Sequence, residues 1–129
     1  MNFTILGAGT WGITLSQILQ SNGHKVSIWH YKKTHLEVLS KNRFYKNLNC
    51  NIHKDINFIF ASKEINQSSH IIICLPSQKI RETLSFLDLK NTCYVNASKG
   101  IEIKTGKLIS DIIKESTLAT DDSIACLSG

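Results

Sequence analysis

The sequence predicts an α/β fold, a doubly wound and mostly parallel sheet with helices on both faces. Two observations lead to this class. Apolar runs of strand length alternate along the 129 residues with segments whose apolar positions recur at helical spacing, which is the pattern of strand–helix–strand units. The run at residues 71–75 is almost wholly apolar, as expected for a central strand that is covered on both sides.

The first strand–helix–strand unit is the clearest part of this pattern. Residues 3–6 predict a strand, and the helical stripe that follows ends at Asn22-Gly23, a common helix C-terminus. Residues 25–30 predict the second strand. Thr34 and Glu37 have the spacing of a capping box, so a short helix is expected to begin at Thr34.

The middle of the chain is less regular. Residues 41–54 are rich in Asn and Lys without a clear period, so they predict a surface loop. Residues 57–60 predict a short third strand, and residues 62–69 predict a brief helical turn. Pro76 follows the apolar run and is expected to end the central strand.

The last third continues the alternation of helices and strands. Ile80, Leu84 and Leu87 mark a helix, residues 93–96 predict a strand, and Thr105 is expected to begin another helix. Residues 124–127 predict the last strand. A functional loop is expected after such a strand, so we interpret residues 1–129 as one truncated domain and expect a second domain beyond it.

Composition and charge exclude several classes of protein. With 42% hydrophobic and 19% charged residues, the chain has enough apolar side chains for a packed core. No apolar run approaches the ~20 residues that span a bilayer, and the start of the chain lacks a signal-peptide pattern. We therefore expect a cytoplasmic protein that does not span a membrane.

The basic and metal-binding residue types form no recognisable site of their own. The net charge of +5 is spread along the chain, which favours a small anionic ligand over nucleic acid. The four cysteines and five histidines lack zinc-ligand spacing, so no metal site is predicted. The histidines are interpreted as scattered surface or half-buried residues.

A glycine-rich turn at residues 7–12, G-A-G-T-W-G, joins the first strand to the first helix. The G-x-G-x-x-G pattern is weak alone, but this context is that of a dinucleotide site. Gly7 allows the tight turn, Gly9 lets the backbone approach a pyrophosphate, and Gly12 lets the helix pack close to the strand. The N–H groups at the helix start would face the diphosphate. The alternative is a turn that binds nothing.

The end of the second strand bears on the choice of dinucleotide. NAD-specific domains usually carry an acidic residue there, whereas residues 29–33 read W-H-Y-K-K. A cationic edge favours a 2′-phosphate, so we expect NADP or NAD as the cofactor, with NADP preferred. The alternative is that Lys32 and Lys33 are a solvated start to the next helix.

Ligands of such sheets bind at the carboxyl ends of the strands. Lys99 is the one cation expected directly beyond a central strand, and Gly100 leaves room beside it. An ammonium group held there would bind a phosphorylated substrate or its hydroxyl. The alternative is a solvent-facing loop lysine.

Together these segments resemble the bacterial NAD(P)-dependent sn-glycerol-3-phosphate dehydrogenases. The matching stretches are residues 7–12, 75–78, 80–82, 98–102 and 127–129. The tryptophan inside the glycine turn and the S-K-G-I-E string are more specific than the glycines. The resemblance runs from end to end of the chain but covers only the amino-terminal domain of that family.

The resemblance implies a Rossmann-type domain and hydride transfer between NAD(P)H and dihydroxyacetone phosphate, which gives sn-glycerol 3-phosphate for phospholipid synthesis. It implies that Lys99 and Gly129 contact the substrate. No catalytic residue is expected in this chain, because the family's proton-transferring lysine belongs to a helical carboxyl-terminal domain. A homodimer of the full-length protein is compatible with the resemblance. The implied cofactor contacts are Gly7, Gly9, Thr10, Trp11, Gly12, Tyr31, Lys32, Pro76 and Lys99.

The chain departs from the family's pattern at a few positions. Thr10 replaces the usual serine and keeps its hydroxyl. The family often has arginine near the position of Lys32. Lysine in place of arginine weakens bidentate recognition of a phosphate. Residues 45–47 read Y-K-N where the family has a Tyr-Leu-Pro turn, so contacts from that loop stay open.

Two other functions stay open. One is a different dehydrogenase with the same opening motif, such as a hydroxyacyl-CoA or ketopantoate reductase-like enzyme. The other is a nucleotide-binding module without chemistry. In either dehydrogenase reading, this chain alone is expected to bind cofactor without turnover.

Overall fold

The computed structural model describes residues 1–91 and 93–128, which form a six-stranded parallel sheet, a small separate hairpin and four helices. The strands are β1 (Asn2–Leu6), β2 (Lys25–Trp29), β3 (Phe44–Tyr45), β4 (Cys50–Asn51), β5 (Asn57–Phe58), β6 (His70–Ile73), β7 (Cys93–Asn96) and β8 (Ile124–Cys126). The helices are α1 (Thr10–Ser21), α2 (Lys33–Asn42), α3 (Ile80–Leu87) and α4 (Ile109–Ser116).

The strand order of the main sheet is β5-β2-β1-β6-β7-β8, and every neighbouring pair is parallel. Counted along the chain, the six strands therefore lie in the order 3-2-1-4-5-6, which is that of doubly wound dinucleotide-binding folds. The order reverses between β1 and β6. This confirms the predicted fold class and makes the carboxyl ends of β1 and β6 the expected place for a ligand.

Helices cover both faces of the sheet. Along β6, the buried side chains of Ile71 and Ile73 join the core beneath α3 and α4, while Ile72 joins the core beneath α1 and α2. This alternation follows from the period of two in a strand. Because both sides are packed, the apolar run that predicted a central strand is explained.

The helix α2 does not begin with the predicted capping box. It begins at Lys33, with Lys32 at the N-cap position and no side-chain cap hydrogen bond within the described residues. The backbone N–H of Leu36 already donates to the Lys32 carbonyl at 3.2 Å. Packing decides this start, because it turns Leu36 and Leu39 into the core. The assignment of Thr34 as the first capping residue was therefore wrong.

Residues 41–54 are not a plain surface loop. They contain the end of α2 and the antiparallel pair β3 and β4. Tyr45 and Ile52 are buried, with relative exposures of 7% and 3%. Only two buried side chains hold this segment to the core, which is too few to produce a visible hydrophobic period.

The helix expected from Thr105 begins four residues later, at Ile109. Gly106 has a positive φ of 72°, and its N–H donates to the Glu102 carbonyl at 2.7 Å. These contacts close a turn where a helix was expected. The other predicted boundaries agree with the structure to within two residues. Within the described residues, none of the helices combines the length and apolar character needed to traverse a lipid bilayer.

Candidate functional site

A cleft of about 950 Å³ lies at the carboxyl edge of the sheet, where the strand order reverses. Its volume is that of a small-molecule or cofactor site. Residues from the ends of five strands meet there, so the fold brings distant parts of the sequence together. The lining residues are Ala8, Gly9, Thr10, Trp11, His30, Tyr31, Lys32, His35, Cys74, Leu75, Pro76, Ala97, Ser98, Lys99, Leu127 and Ser128.

Two glycines of the turn at residues 7–12 are required by the fold itself. Gly7 has a φ of +118°, and a Cβ there would lie 2.3 Å from the Cys74 carbonyl oxygen. A Cβ on Gly12 would lie 2.1 Å from the Gly7 carbonyl oxygen. Both positions therefore exclude any side chain. Gly7 and Gly12 shape the floor of the turn and do not line the cleft.

Gly9 differs from the other two glycines. A Cβ built there would meet no described protein atom within 4 Å, and Gly9 faces the cleft. It is the N-cap of α1, and no side chain of the described residues caps this end. The first N–H groups of a helix lack intrahelical partners, and the helix dipole adds positive potential. The open space before this helix start fits the diphosphate of a dinucleotide.

The end of β2 forms the cationic wall of the cleft. Tyr31 and Lys32 line it, and the Lys32 Nζ lies 5.9 Å from the centre of the Tyr31 ring, within cation–π range. No carboxylate lines the cleft within the described residues. The potential of this wall therefore favours an anionic group.

Two histidines hold the backbone of the glycine turn. The Ala8 N–H donates to His30 Nδ1 at 3.1 Å, and His35 Nε2 donates to the Ala8 carbonyl at 2.9 Å. The two ring centres lie 4.9 Å apart. Burial and, to a smaller extent, the nearby His35 and Lys32 together lower the pKa of His30 to about 4. His30 is therefore neutral at neutral pH, as its role as acceptor requires.

The loop that carries Lys99 is fixed to the loop after β6. The Gln78 side-chain amide donates to the Ile101 carbonyl at 2.8 Å, and its oxygen accepts from the Ile103 N–H at 2.9 Å. The Ser98 hydroxyl donates to the Leu75 carbonyl at 2.6 Å. Lys99 itself is exposed and joins none of the ion pairs formed by residues 1–91 and 93–128. Lys99 thus lines the cleft, and its ammonium has no counter-charge from these residues.

An ion-pair network secures the far end of the same loop. Arg81 Nε lies 2.9 Å from a carboxylate oxygen of Glu102, whose side chain is only 8% exposed, and Arg81 Nη1 lies 2.7 Å from Glu115. The Thr105 hydroxyl also donates to Glu102. The hydrogen bonds from Arg81 and then from Thr105 hold the pKa of Glu102 below its ordinary value. The carboxylate is therefore ionised and anchors residues 98–108 to α3 and α4.

The hairpin of β3 and β4 contacts the glycine turn. The hydroxyls of Tyr45 and Thr10 are hydrogen-bonded at 3.2 Å. Gln17 of α1 donates to the Asn51 carbonyl at 2.7 Å and accepts from the His53 N–H at 3.0 Å. The segment whose contacts stayed open in the sequence is thus fixed to α1 through Tyr45, next to the cleft.

The structure brings most of the predicted site residues to one cleft. Gly129 lies outside the described residues, although Leu127 and Ser128 before it line the cleft. Trp11 is 47% exposed at the cleft rather than buried. The predicted residues that line the cleft are Gly9, Thr10, Trp11, Tyr31, Lys32, Pro76 and Lys99.

Five polar or thiol side chains of the cleft were not among the predicted site residues. They are His30, His35, Cys74, Ser98 and Ser128. His30 and Cys74 directly follow β2 and β6, and that position was the available signal. Burial raises the pKa of the Cys74 thiol to about 12, so this cysteine stays protonated and acts as a small apolar wall.

Comparison with known proteins agrees with this geometry. The family model for the NAD-dependent glycerol-3-phosphate dehydrogenase N-terminus matches residues 2–129. The glycerol-3-phosphate dehydrogenase (NAD(P)+) of Thermotoga sp. strain RQ2 is 35% identical over 125 residues, which cover 89% of this chain and 36% of that protein. The one from Fusobacterium nucleatum is 33% identical over 135 residues, covering 100% and 40%. The chain thus spans well under half the length of these curated relatives.

Solved structures share the fold. Glycerol-3-phosphate dehydrogenase from Coxiella burnetii superposes with a TM-score of 0.78 at 22% identity, covering 89% of this chain and 37% of that one. D-mandelate dehydrogenase in complex with NADH gives 0.75 at 17% identity, covering 98% and 38%. The 3-hydroxyisobutyrate dehydrogenase of Mycobacterium tuberculosis gives 0.62 at 14%, covering 99% and 40%. At such low identities these likenesses establish the fold alone.

Proposed function

The chain belongs to the family of the NAD-dependent glycerol-3-phosphate dehydrogenase N-terminus, and from this premise we propose that its cleft binds NAD or NADP for the reduction of dihydroxyacetone phosphate to sn-glycerol 3-phosphate. The observation that carries the proposal is the open space at Gly9. The fold leaves room for a side chain at that position, so a glycine there is best explained by a ligand that approaches the backbone.

The residues of the cleft divide the work of holding the cofactor. The N–H groups at the start of α1 bind the diphosphate, and Tyr31 with Lys32 receive the adenosine ribose and any phosphate on it. When bound, the nicotinamide supplies or accepts the hydride. Thr10, Trp11 and Pro76 line the cleft and limit where the dinucleotide lies.

Lys99 is the proposed substrate-orienting group. Lys99 lines the cleft, and its ammonium has no ion-pair partner among the described residues. A phosphorylated substrate supplies the missing negative charge. Gly129, next to the lining residue Ser128, is proposed to join it. No side chain of the described residues is assigned as the proton donor. The curated relatives are longer than this chain, and we assign proton transfer to a helical second domain of a longer protein.

The choice between the two cofactors is a finer part of the proposal. We expect NADP to be preferred, because Lys32 lines the cleft and no carboxylate of the described residues does. A cation that pairs with the 2′-phosphate contributes about 10-fold or more in affinity. Lys32→Ala should therefore weaken NADPH binding by about 10-fold and leave NADH binding nearly unchanged.

Fluorescence titration with both reduced cofactors measures these affinities. Lys33→Ala is the matched control, because Lys33 is the neighbouring cation and does not line the cleft. Tighter binding of NADH than of NADPH by the unaltered chain would end the NADP preference. Failure to bind either cofactor would overturn the proposed function as a whole.

The substrate is tested on the complete gene product. Oxidation of NADPH should depend on dihydroxyacetone phosphate, whereas 2-oxo acids and acyl-CoA substrates should leave it unchanged. Activity with one of the latter would favour the dehydrogenases that share only the fold.

A location in the cytoplasm, where the nicotinamide coenzymes are available, belongs to the same proposal. A homodimer stays a prediction that sedimentation analysis can test.

A further inference from the structure

We propose that His30 and His35 are positioning residues that hold the glycine turn in its cofactor-binding conformation through the N–H and the carbonyl of Ala8. This inference rests on the proposed function, since the turn is taken to bind a dinucleotide. Neither histidine belongs to the G-x-G-x-x-G pattern. Their role follows from contacts between residues far apart in the chain.

The end of β2 holds the turn at two consecutive residues. The Gly7 N–H donates to the Trp29 carbonyl at 2.8 Å, and the Ala8 N–H donates to His30 Nδ1 at 3.1 Å. Ala8 is fully buried, so its N–H has no access to bulk water. A buried N–H that loses its acceptor is destabilising, which makes His30 the group that keeps this part of the turn in place.

His35 acts on the next peptide unit. Its Nε2 donates to the Ala8 carbonyl at 2.9 Å. That carbonyl and the Gly9 N–H belong to one planar trans peptide, in which they point in opposite directions. Holding the carbonyl therefore fixes the direction of the Gly9 N–H at the mouth of α1. A turn that is fixed before binding loses less conformational freedom when the ligand arrives.

The contacts determine the protonation of both rings. His30 Nδ1 must be unprotonated to accept from Ala8, so its proton is on Nε2, and His35 must carry a proton on Nε2. The groups that face His30 are His35 from α2 at 4.9 Å and Tyr31 at 4.5 Å between ring centres, with Lys32 next in the chain. A proton on Nδ1 would oppose the Ala8 N–H and add charge beside these groups. The low pKa of His30 agrees with a neutral ring.

The test compares two kinds of variant at each position. His30→Leu and His35→Leu remove the hydrogen-bonding nitrogen. His30→Asn places an amide oxygen where Nδ1 was, and His35→Gln places an amide N–H where Nε2 was, so each is the matched control. Circular dichroism and thermal unfolding of every variant establish that it is folded before its affinity for NADH and NADPH is titrated by fluorescence.

The two leucine variants should weaken NADH and NADPH binding equally, by about 10-fold, because the diphosphate is common to both. The Asn and Gln variants should recover most of that loss. A folded His30→Leu or His35→Leu chain with unchanged affinity, or an amide variant no better than its leucine counterpart, overturns the inference. If the unaltered chain binds neither cofactor, it is the proposed function that fails.

A second measurement decides the hydrogen bonds without any cofactor. In ¹⁵N-labelled chain, the His30 Nδ1 resonance should be that of an unprotonated acceptor nitrogen, and it should stay so on mild acidification. The Ala8 N–H should exchange slowly with solvent and should exchange faster in His30→Leu than in His30→Asn. A proton found on His30 Nδ1 at neutral pH overturns the inference even if the chain binds both cofactors.

Discussion

Gly9 and Gly12 belong to the same turn, yet the surroundings of the two residues differ. Space around Gly9 is open in the protein, whereas a Cβ on Gly12 would lie 2.1 Å from the Gly7 carbonyl oxygen. The requirement at Gly12 comes from the fold, and the requirement at Gly9 is proposed to come from the ligand. Two substitutions of the same chemical size can therefore separate stability from binding.

Gly9→Ala should leave the free energy of unfolding within about 1 kcal/mol of the unaltered chain. It should weaken NADPH binding by about 10-fold or more, because the methyl group occupies the space that the diphosphate needs. Gly12→Ala should destabilise the fold by about 1–3 kcal/mol or more through overpacking. Urea unfolding and cofactor titration of both variants measure these effects. A Gly9→Ala chain with normal affinity would contradict the assignment.

Elements rather than single residues fix the position of Lys99. The loop after β7 is held at one end by Gln78 and at the other by the Glu102 carboxylate, which pairs with Arg81. These bonds connect three of the stretches that carry the family resemblance, joining residues 75–78 and residues 80–82 to residues 98–102. The presence of these stretches together therefore has a structural explanation, since their side chains hold one another at the edge of the cleft.

The stability of this arrangement should depend on acid. Arg81, and next Thr105, lower the pKa of Glu102 from its ordinary value of 4.5. A group whose folded-state pKa is lowered stabilises the fold above its unfolded pKa, and loses that effect as the pH falls through the folded value. The free energy of unfolding should thus decline as the pH falls below 4.5.

Glu102→Gln should reduce this decline, because the glutamine cannot titrate. Glu37→Gln is the matched control, since Glu37 is exposed on α2 and joins no ion pair formed by the described residues. Urea unfolding at a series of acidic pH values measures the difference. Equal pH dependence in the two variants would mean that Glu102 does not carry the effect.

The hydrophobic pattern located most elements, but it did not place every boundary. The apolar positions Ile80, Leu84 and Leu87, which predicted a helix, all lie within α3. The start of α4 was predicted four residues early, because the turn closed by Gly106 depends on a backbone conformation that no apolar period encodes. The hairpin of β3 and β4 was missed because only two buried side chains, Tyr45 and Ile52, anchor it. Two residues are too few to produce a hydrophobic period.

At the scale of the whole molecule, the doubly wound fold class and the place of the cleft at the carboxyl ends of the strands followed from the sequence. One glycine motif and the alternation of strands and helices were enough, because parallel sheets with right-handed crossovers allow few arrangements. The partners inside the cleft did not follow. His30 holds Ala8 and Gln78 holds Ile101 across more than twenty residues of intervening chain, and a single sequence carries no signal of such pairs.

The central strand is expected to carry much of the stability of the molecule. Ile71 in β6 is fully buried and belongs to the core beneath α3 and α4. Ile71→Ala should destabilise the chain by about 2–5 kcal/mol. Ile103→Ala, at a position that is 81% exposed, should change stability by less than about 0.5 kcal/mol. Urea unfolding compares the two, and similar effects would contradict this description of the core.

The parallel order of the strands also bears on how the chain reaches its native state. Phe3 pairs with Val26 on one side and with His70 on the other, so the middle of the sheet cannot close until the chain has been made as far as β6. Joining such distant segments costs loop entropy before any contact repays it, which slows the search. During synthesis, β1 and β2 emerge long before β6, so the edge of β1 that pairs with β6 stays unpaired in the interval. A chaperone would bind the incompletely folded chain during that interval.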